Sequence, residues 1–150
     1  MVDVESLVFS TVADAVETAF ATDYPGLVCY GEYVSAPSSF PCVCLVEDDN
    51  YRYTDSDDEK LQEHQANVLY TCNIYTNNAD GKKGLAKAIA AVVDTTMAGM
   101  KFTRTMMEQL PNIDRTIYRM TMRYAAVVGE PILTRTENGI TTTTYSVYRK

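Results

Sequence analysis

A histidine- or cysteine-based active centre in this 150-residue chain would have to draw on one histidine, His64, and four cysteines, Cys29, Cys42, Cys44 and Cys72. A three-histidine metal site cannot form within one such chain. Any Ser-His-Asp or Cys-His pairing would need His64 itself. No G-x-S-x-G string is present, and no cysteine stands in a recognisable nucleophile context. His64 therefore reads as a surface-loop histidine and the chain as non-catalytic. Zinc-binding cysteine pairs are usually two to four residues apart on a tight turn. Cys42 and Cys44 instead fall within a predicted strand, on the face that also carries Phe40 and Val46. They read as core thiols, free in a reducing compartment, and no metal or cofactor is expected.

Two further patterns imitate ligand sites. Asp55, Asp57 and Glu59 alternate like the start of a calcium loop. The sixth position is Lys60 rather than glycine, and no glutamate stands at the twelfth, so the coordination set is incomplete. Asp55, Asp57, Asp58 and Glu59 read as solvated loop charge, available to dock a basic partner surface. Gly81-Lys82-Lys83-Gly84 precedes a helix but lacks the G-x-x-x-x-G-K-[ST] pattern of a phosphate cradle. It reads as a flexible helix start.

Bulk composition narrows the partners. Hydrophobic residues make up 46% and charged residues 22%, the proportions of one ordinary globular domain. The formal net charge of −7 argues against a surface that grips nucleic acid, which needs clustered Lys and Arg. It argues equally against an anionic membrane. No apolar run reaches the roughly 18 residues of a membrane span. Asp3 and Glu5 stand where a signal peptide would be basic, so residence in a cytosol is expected.

The elements that must position these residues follow from periodicity. Val4, Leu7, Val8, Val12, Ala15, Val16, Ala19 and Phe20 recur as one helical face, and Asp23 to Gly26 supplies a turn. Strands are predicted over 27–34 and 40–46. The second is apolar on both faces, as a central or covered strand is. The stretch 47–65 reads as a loop holding Glu47, Asp48, Asp49, Asp55, Asp57, Asp58, Glu59 and Glu63. A strand over 66–76 leads to a helix over 82–98, with Leu85, Ala88, Ile89, Val92, Val93 and Met97 as its buried stripe and Gly99 as its stop. Strands are then predicted over 102–109 and 116–128, followed by a hairpin of 132–135 with 140–148 around Asn138-Gly139. The whole is a single α+β domain over 1–150: a mixed, mostly antiparallel sheet, two helices on one face and a C-terminal β-hairpin.

Two features point to assembly. Ile140 to Tyr148, with Thr142 and Thr144 among four consecutive threonines, has high β-propensity and little contrast between faces. Such a strand leaves an edge open to pairing. It reads either as an added strand on a neighbouring subunit or as an internal edge strand. Arg119 and Arg123 share a face of the long strand, where they must be solvated or paired across an interface.

The block from Val68 to Val128 carries a family resemblance. A strand ending in Asn-Ile-Tyr-Thr-Asn, a helix, then Phe-Thr-Arg-Thr, then Pro-Asn-Ile-Asp-Arg-Thr-Ile-Tyr-Arg and a long strand resembles the tail terminator and minor capsid (neck) proteins of long-tailed bacteriophages. It covers roughly residues 4 to 128. The resemblance implies a sheet flanked by two helices and no catalytic residues. It implies a hexameric ring in the neck of the virion, assembled in the host bacterial cytoplasm. Such a ring caps the head-proximal end of the tail tube, stops tube growth and offers a docking surface to the head-completion or connector protein. Genome DNA would pass through an acidic lumen without specific binding, since acidic walls offer no counterion-release gain. On this reading Arg104, Arg119 and Arg123 are expected to reach acidic residues of an adjacent subunit. Asp114 and Arg115 either pair across the ring or support a turn. Another neck protein, a head closure or tail completion factor, shares these features. A small ligand-binding α+β module is the alternative of a different class, and would show a concave apolar pocket with convergent polar groups.

Overall fold

A computed structural model describes residues 2–52 and 65–148. Helix α1 spans Glu5–Phe20 and α2 spans Lys82–Gly99. In α1, Val8, Val12 and Val16 are buried at a spacing of four, with Ala13 beside them, which is the single stripe an amphipathic helix hides. α2 buries Leu85, Ala86, Ile89, Ala90, Val93 and Met97. Ala88, expected in that stripe, is exposed. A methyl group weighs little beside Leu85, Ile89 and Val93; those three set the rotation and bring Ala86 and Ala90 inward. α2 starts after Gly81, whose φ of 73° is the left-handed conformation glycine tolerates. Gly99, expected as the stop, is the last helical residue, and Lys101 takes the left-handed position at φ 68°. No helix among the described residues is long and apolar enough to cross a membrane.

The strands are β1 Val28–Tyr30, β2 Cys42–Arg52, β3 Gln65–Thr76, β4 Thr103–Leu110, β5 Tyr118–Glu137 and β6 Ile140–Tyr148. Their order is β1-β2-β3-β5-β4, with β6 also on β5. β1 runs parallel to β2 and every other pair is antiparallel. With α1 and α2 packed together on one face, this is the expected mixed, mostly antiparallel α+β architecture.

Three boundaries differ from expectation, each for a reason of pairing. β1 has three residues rather than eight, because a parallel neighbour needs a connection that travels back along the strand. Residues 31–41 make that return across the face away from the helices. β2 runs on through Glu47, Asp48 and Asp49 to Arg52, where a loop was expected. The ladder to β3 overrides the low strand preference of acidic residues, and a bulge at Asp48 absorbs the mismatch between Glu47↔Tyr70 and Asp49↔Leu69. β5 is one strand through residue 137 rather than two. It carries a register break between Gly129 and Leu133, where Pro131 has no N–H to donate to the ladder.

The main core lies between the helices and the sheet. Val43, Leu45, Val68, Tyr70, Cys72, Ile74, Met122 and Tyr124 supply its sheet side, alternating along each strand as the pleat requires. Tyr70 meets Phe102 edge-on, with ring centroids 5.5 Å apart. A smaller cluster of Cys42, Cys44 and Tyr75 lies on the far face, under Val34, Phe40 and Ile117. The two-sided apolar character of β2 thus has a structural cause: β2 is an interior strand whose second face is roofed by the 31–41 return. Gly26 is required beneath that return, since a Cβ there would stand 2.8 Å from the Phe40 carbonyl oxygen.

Candidate functional site

The thiols divide between the two faces. Cys42 and Cys44 lie on the far face with their sulfurs 3.8 Å apart, while Cys72 and Cys29 belong to the helix-side core. All four are free, and among the described residues no three potential ligands converge on one point. Burial pushes Cys29 up to about 12 and raises Cys72, the behaviour of inert core thiols. Cys44 is held below the ordinary thiol value by its contact with Cys42, a backbone hydrogen bond from Val34 and the nearby Arg119 charge. Both far-face sulfurs are nevertheless sealed under the roof, so they serve as packing.

The far face also holds a polar network that the sequence does not reveal. Asn73 is 1% exposed and Thr121 2%. The Asn73 Oδ1 accepts from Thr121 Oγ1 at 2.7 Å and from Arg119 Nε and Nη2 at 3.2 and 3.1 Å. Arg119 Nη2 also donates to the Tyr33 hydroxyl at 3.0 Å, and its guanidinium lies 5.7 Å from the Tyr75 ring centroid. Arg119, expected to seek an adjacent subunit, is thus engaged within its own chain and ties the 31–41 return to the sheet.

The other expected interface residues separate. Arg104 pairs with Asp94 of α2 at 3.3 Å, again within the chain. Arg123 and Arg115 are exposed, and neither makes an ion pair within the described residues. Asp114 supports a turn: its Oδ1 accepts from the Thr116 amide at 2.9 Å and hydroxyl at 2.6 Å. Thr142 and Thr144 pair with Arg135 and Leu133 in the β5–β6 ladder. Asp55, Asp57, Asp58 and Glu59, with His64, lie outside the described residues. Glu47, Asp48 and Asp49, expected in the same acidic loop, belong to β2. Glu47 accepts from Tyr70 Oη at 2.6 Å and Asn50 Nδ2 at 3.2 Å, and Asp48 accepts from the Thr71 hydroxyl.

Two predictions arise from these contacts. Asp94 accepts from both Arg104 and the buried Tyr124 hydroxyl, the latter at 3.0 Å. Removing Arg104 breaks only a half-exposed ion pair, costing less than about 1 kcal/mol. Asp94→Ala also leaves the buried Tyr124 hydroxyl to the weak Met122 Sδ acceptor at 3.4 Å, costing about 1–3 kcal/mol. Thermal melts should rank Asp94→Ala below Arg104→Ala, and equal melting points would show that the Tyr124 bond contributes nothing. The second concerns Asp114, held below the usual carboxylate value by the Thr116 hydroxyl and amide. A depressed acid contributes its stabilisation above its unfolded value and loses it as pH falls through the folded one. The Thr116 amide resonance should therefore titrate with a midpoint below that of an ordinary aspartate, and the step should vanish in Asp114→Ala.

The hairpin is the remaining surface. Among the described residues, β5 pairs with β3 from Thr76↔Tyr118 to Gln65↔Gly129. Beyond it, through residue 137, its pairing among the described residues is with β6. Asn138 and Gly139 close the ribbon at φ 52° and 77°, the positive values a type I′ hairpin turn demands. At 127–129 β3 already occupies one edge of β5, so β6 takes the other. That is the edge along which β4 pairs lower down. The result is a two-stranded arm continuing one end of the sheet.

No family model matches this chain, and no curated protein matches its sequence.

Proposed function

We propose that this protein is a structural assembly subunit of the tail terminator kind. In this role it forms a ring on the head-proximal end of a phage tail tube, stops tube growth and presents a docking surface to the head-completion protein. The observation that carries the reading is the β5–β6 arm. A two-stranded ribbon closed by a tight turn is a means of reaching a neighbour by backbone pairing. The ordered resemblance from Val68 to Val128 supplies the kind of assembly. The acidic balance of the chain suits a lumen through which DNA slides without being retained. The test is native mass across a concentration range, with negative-stain images of any large species, repeated with tail tubes present. Rings of about six copies, free or on tube ends, are the expected result. A chain that stays monomeric and leaves tube ends bare would overturn the proposal.

A further inference from the structure

An open cleft of about 570 Å³ lies at the outer edge of β1, between the first turns of α1 and the start of the 31–41 return. Phe9, Tyr30 and Val34 line it with partly exposed apolar surface, and the exposed Glu5 and Glu32 stand among them. Desolvation and the nearby Glu47 and Asp3 charges raise the Glu5 carboxyl above its usual value, so the surroundings favour an incoming cation. A ligand complementary to this cleft carries an apolar anchor beside one positive charge.

The same chain carries such a group at the opposite edge of the sheet. The turn between β4 and β5 holds Ile113, fully exposed and the most exposed large hydrophobic side chain among the described residues. Arg115 stands two positions on, also exposed. The Asp114 carboxylate is folded back onto Thr116, and Arg115 is the turn's exposed cation. β1 and β4 end the strand path β1-β2-β3-β5-β4, four strand spacings apart and so separated by roughly 19 Å. Ile113, fully exposed, does not occupy the cleft of its own chain. It can fill the cleft of another copy.

Resting on the reading of this chain as an assembling subunit, we propose that the cleft receives the β4–β5 turn of a second copy, with Ile113 seated on Phe9 and Val34 and Arg115 paired with Glu5 and Glu32. Donor and acceptor are different patches on opposite edges, so the contact is head-to-tail. Repetition of a head-to-tail contact gives a ring where the rotation closes. The buried centre is apolar, where binding energy concentrates, and the charges at its rim set orientation. The turn anchors a larger interface to which the β5–β6 arm adds area.

The test uses the full-length chain and two exposed, fold-neutral substitutions, Ile113→Asp in the turn and Glu32→Arg in the cleft. Circular dichroism checks that each folds, and sedimentation velocity measures association. Each variant alone should associate about tenfold or more weakly than wild type. An equimolar mixture should give a complex of two subunits and nothing larger, because the Glu32→Arg copy keeps its turn and the Ile113→Asp copy keeps its cleft. Variants that assemble like the wild type overturn the proposal, and so does a wild-type chain that never self-associates. Tube capping is scored separately. Self-association through this contact without capping would defeat the tail terminator reading and leave the contact standing. Capping by variants that assemble normally would do the reverse.

Discussion

A chain in which residues 130–145 are replaced by Asn-Gly is expected to melt within about 5 °C of the wild type and to form no rings. The replacement closes Gly129 to Ser146 through the same kind of two-residue turn that Asn138 and Gly139 now make. It keeps the pairs Val127↔Tyr148, Val128↔Val147 and Gly129↔Ser146, and it leaves the whole β3 ladder of β5 in place. Among the described side chains, those that build the main core lie outside the deleted stretch. Among the described residues the ladder that is lost pairs the ribbon with itself, and an isolated two-stranded ribbon is marginal in water. A sequence that maintains such an arm gains by laying it on a partner. Melting by circular dichroism and native mass on the same sample separate the outcomes. A folded monomer is expected. A folded variant that still forms rings would remove the arm from the interface. An unfolded variant would make the arm part of the domain's own stability.

Much of this architecture is visible in the sequence because much of it is local. Val8, Val12 and Val16 announce α1 by spacing alone, and the alternation of Tyr118, Met120, Met122 and Tyr124 announces the helix-side face of β5. Asn138-Gly139 specifies its turn through backbone conformation. What escapes is set by pairing across long sequence separations. Nothing in Glu47-Asp48-Asp49 predicts a strand; the β3 register does. β1 is cut to three residues by a parallel neighbour that local pattern cannot show. Pro131 looks like a boundary between two strands, yet a bulge accommodates it within one. The candidate sites suffer most. Arg119 reads as an interface residue because it alternates with Arg123, but its partners Asn73 and Tyr33 lie 46 and 86 positions away. The cleft is built from α1 and the end of β1. Neither segment carries a motif, and the full exposure of Ile113 in the β4–β5 turn is visible only in the structure.

The Asn73 network connects that cleft to the interior of the sheet. Asn73→Ala is expected to cost about 3 kcal/mol, from the orphaned Thr121 hydroxyl and a half-buried Arg119 deprived of its acceptor. For a domain of this size that lowers the melting point by about 10 °C. A second consequence follows from geometry. Arg119 holds Tyr33, and Tyr33 sits between Glu32 and Val34 on the return segment that forms one wall of the cleft. An Arg119 side chain freed from Asn73 no longer fixes that wall, so the cleft loses its preformed shape and assembly weakens as ordering it becomes a cost of binding. Tyr33→Phe separates the two effects. It leaves the Asn73 acceptor and its buried donors intact but removes the tie, so it should melt within about 2 °C of wild type while still weakening association. Equal association of Tyr33→Phe and wild type would show that the wall is held by other means. An Asn73→Ala chain melting with the wild type would show that water replaces the lost acceptor at no cost.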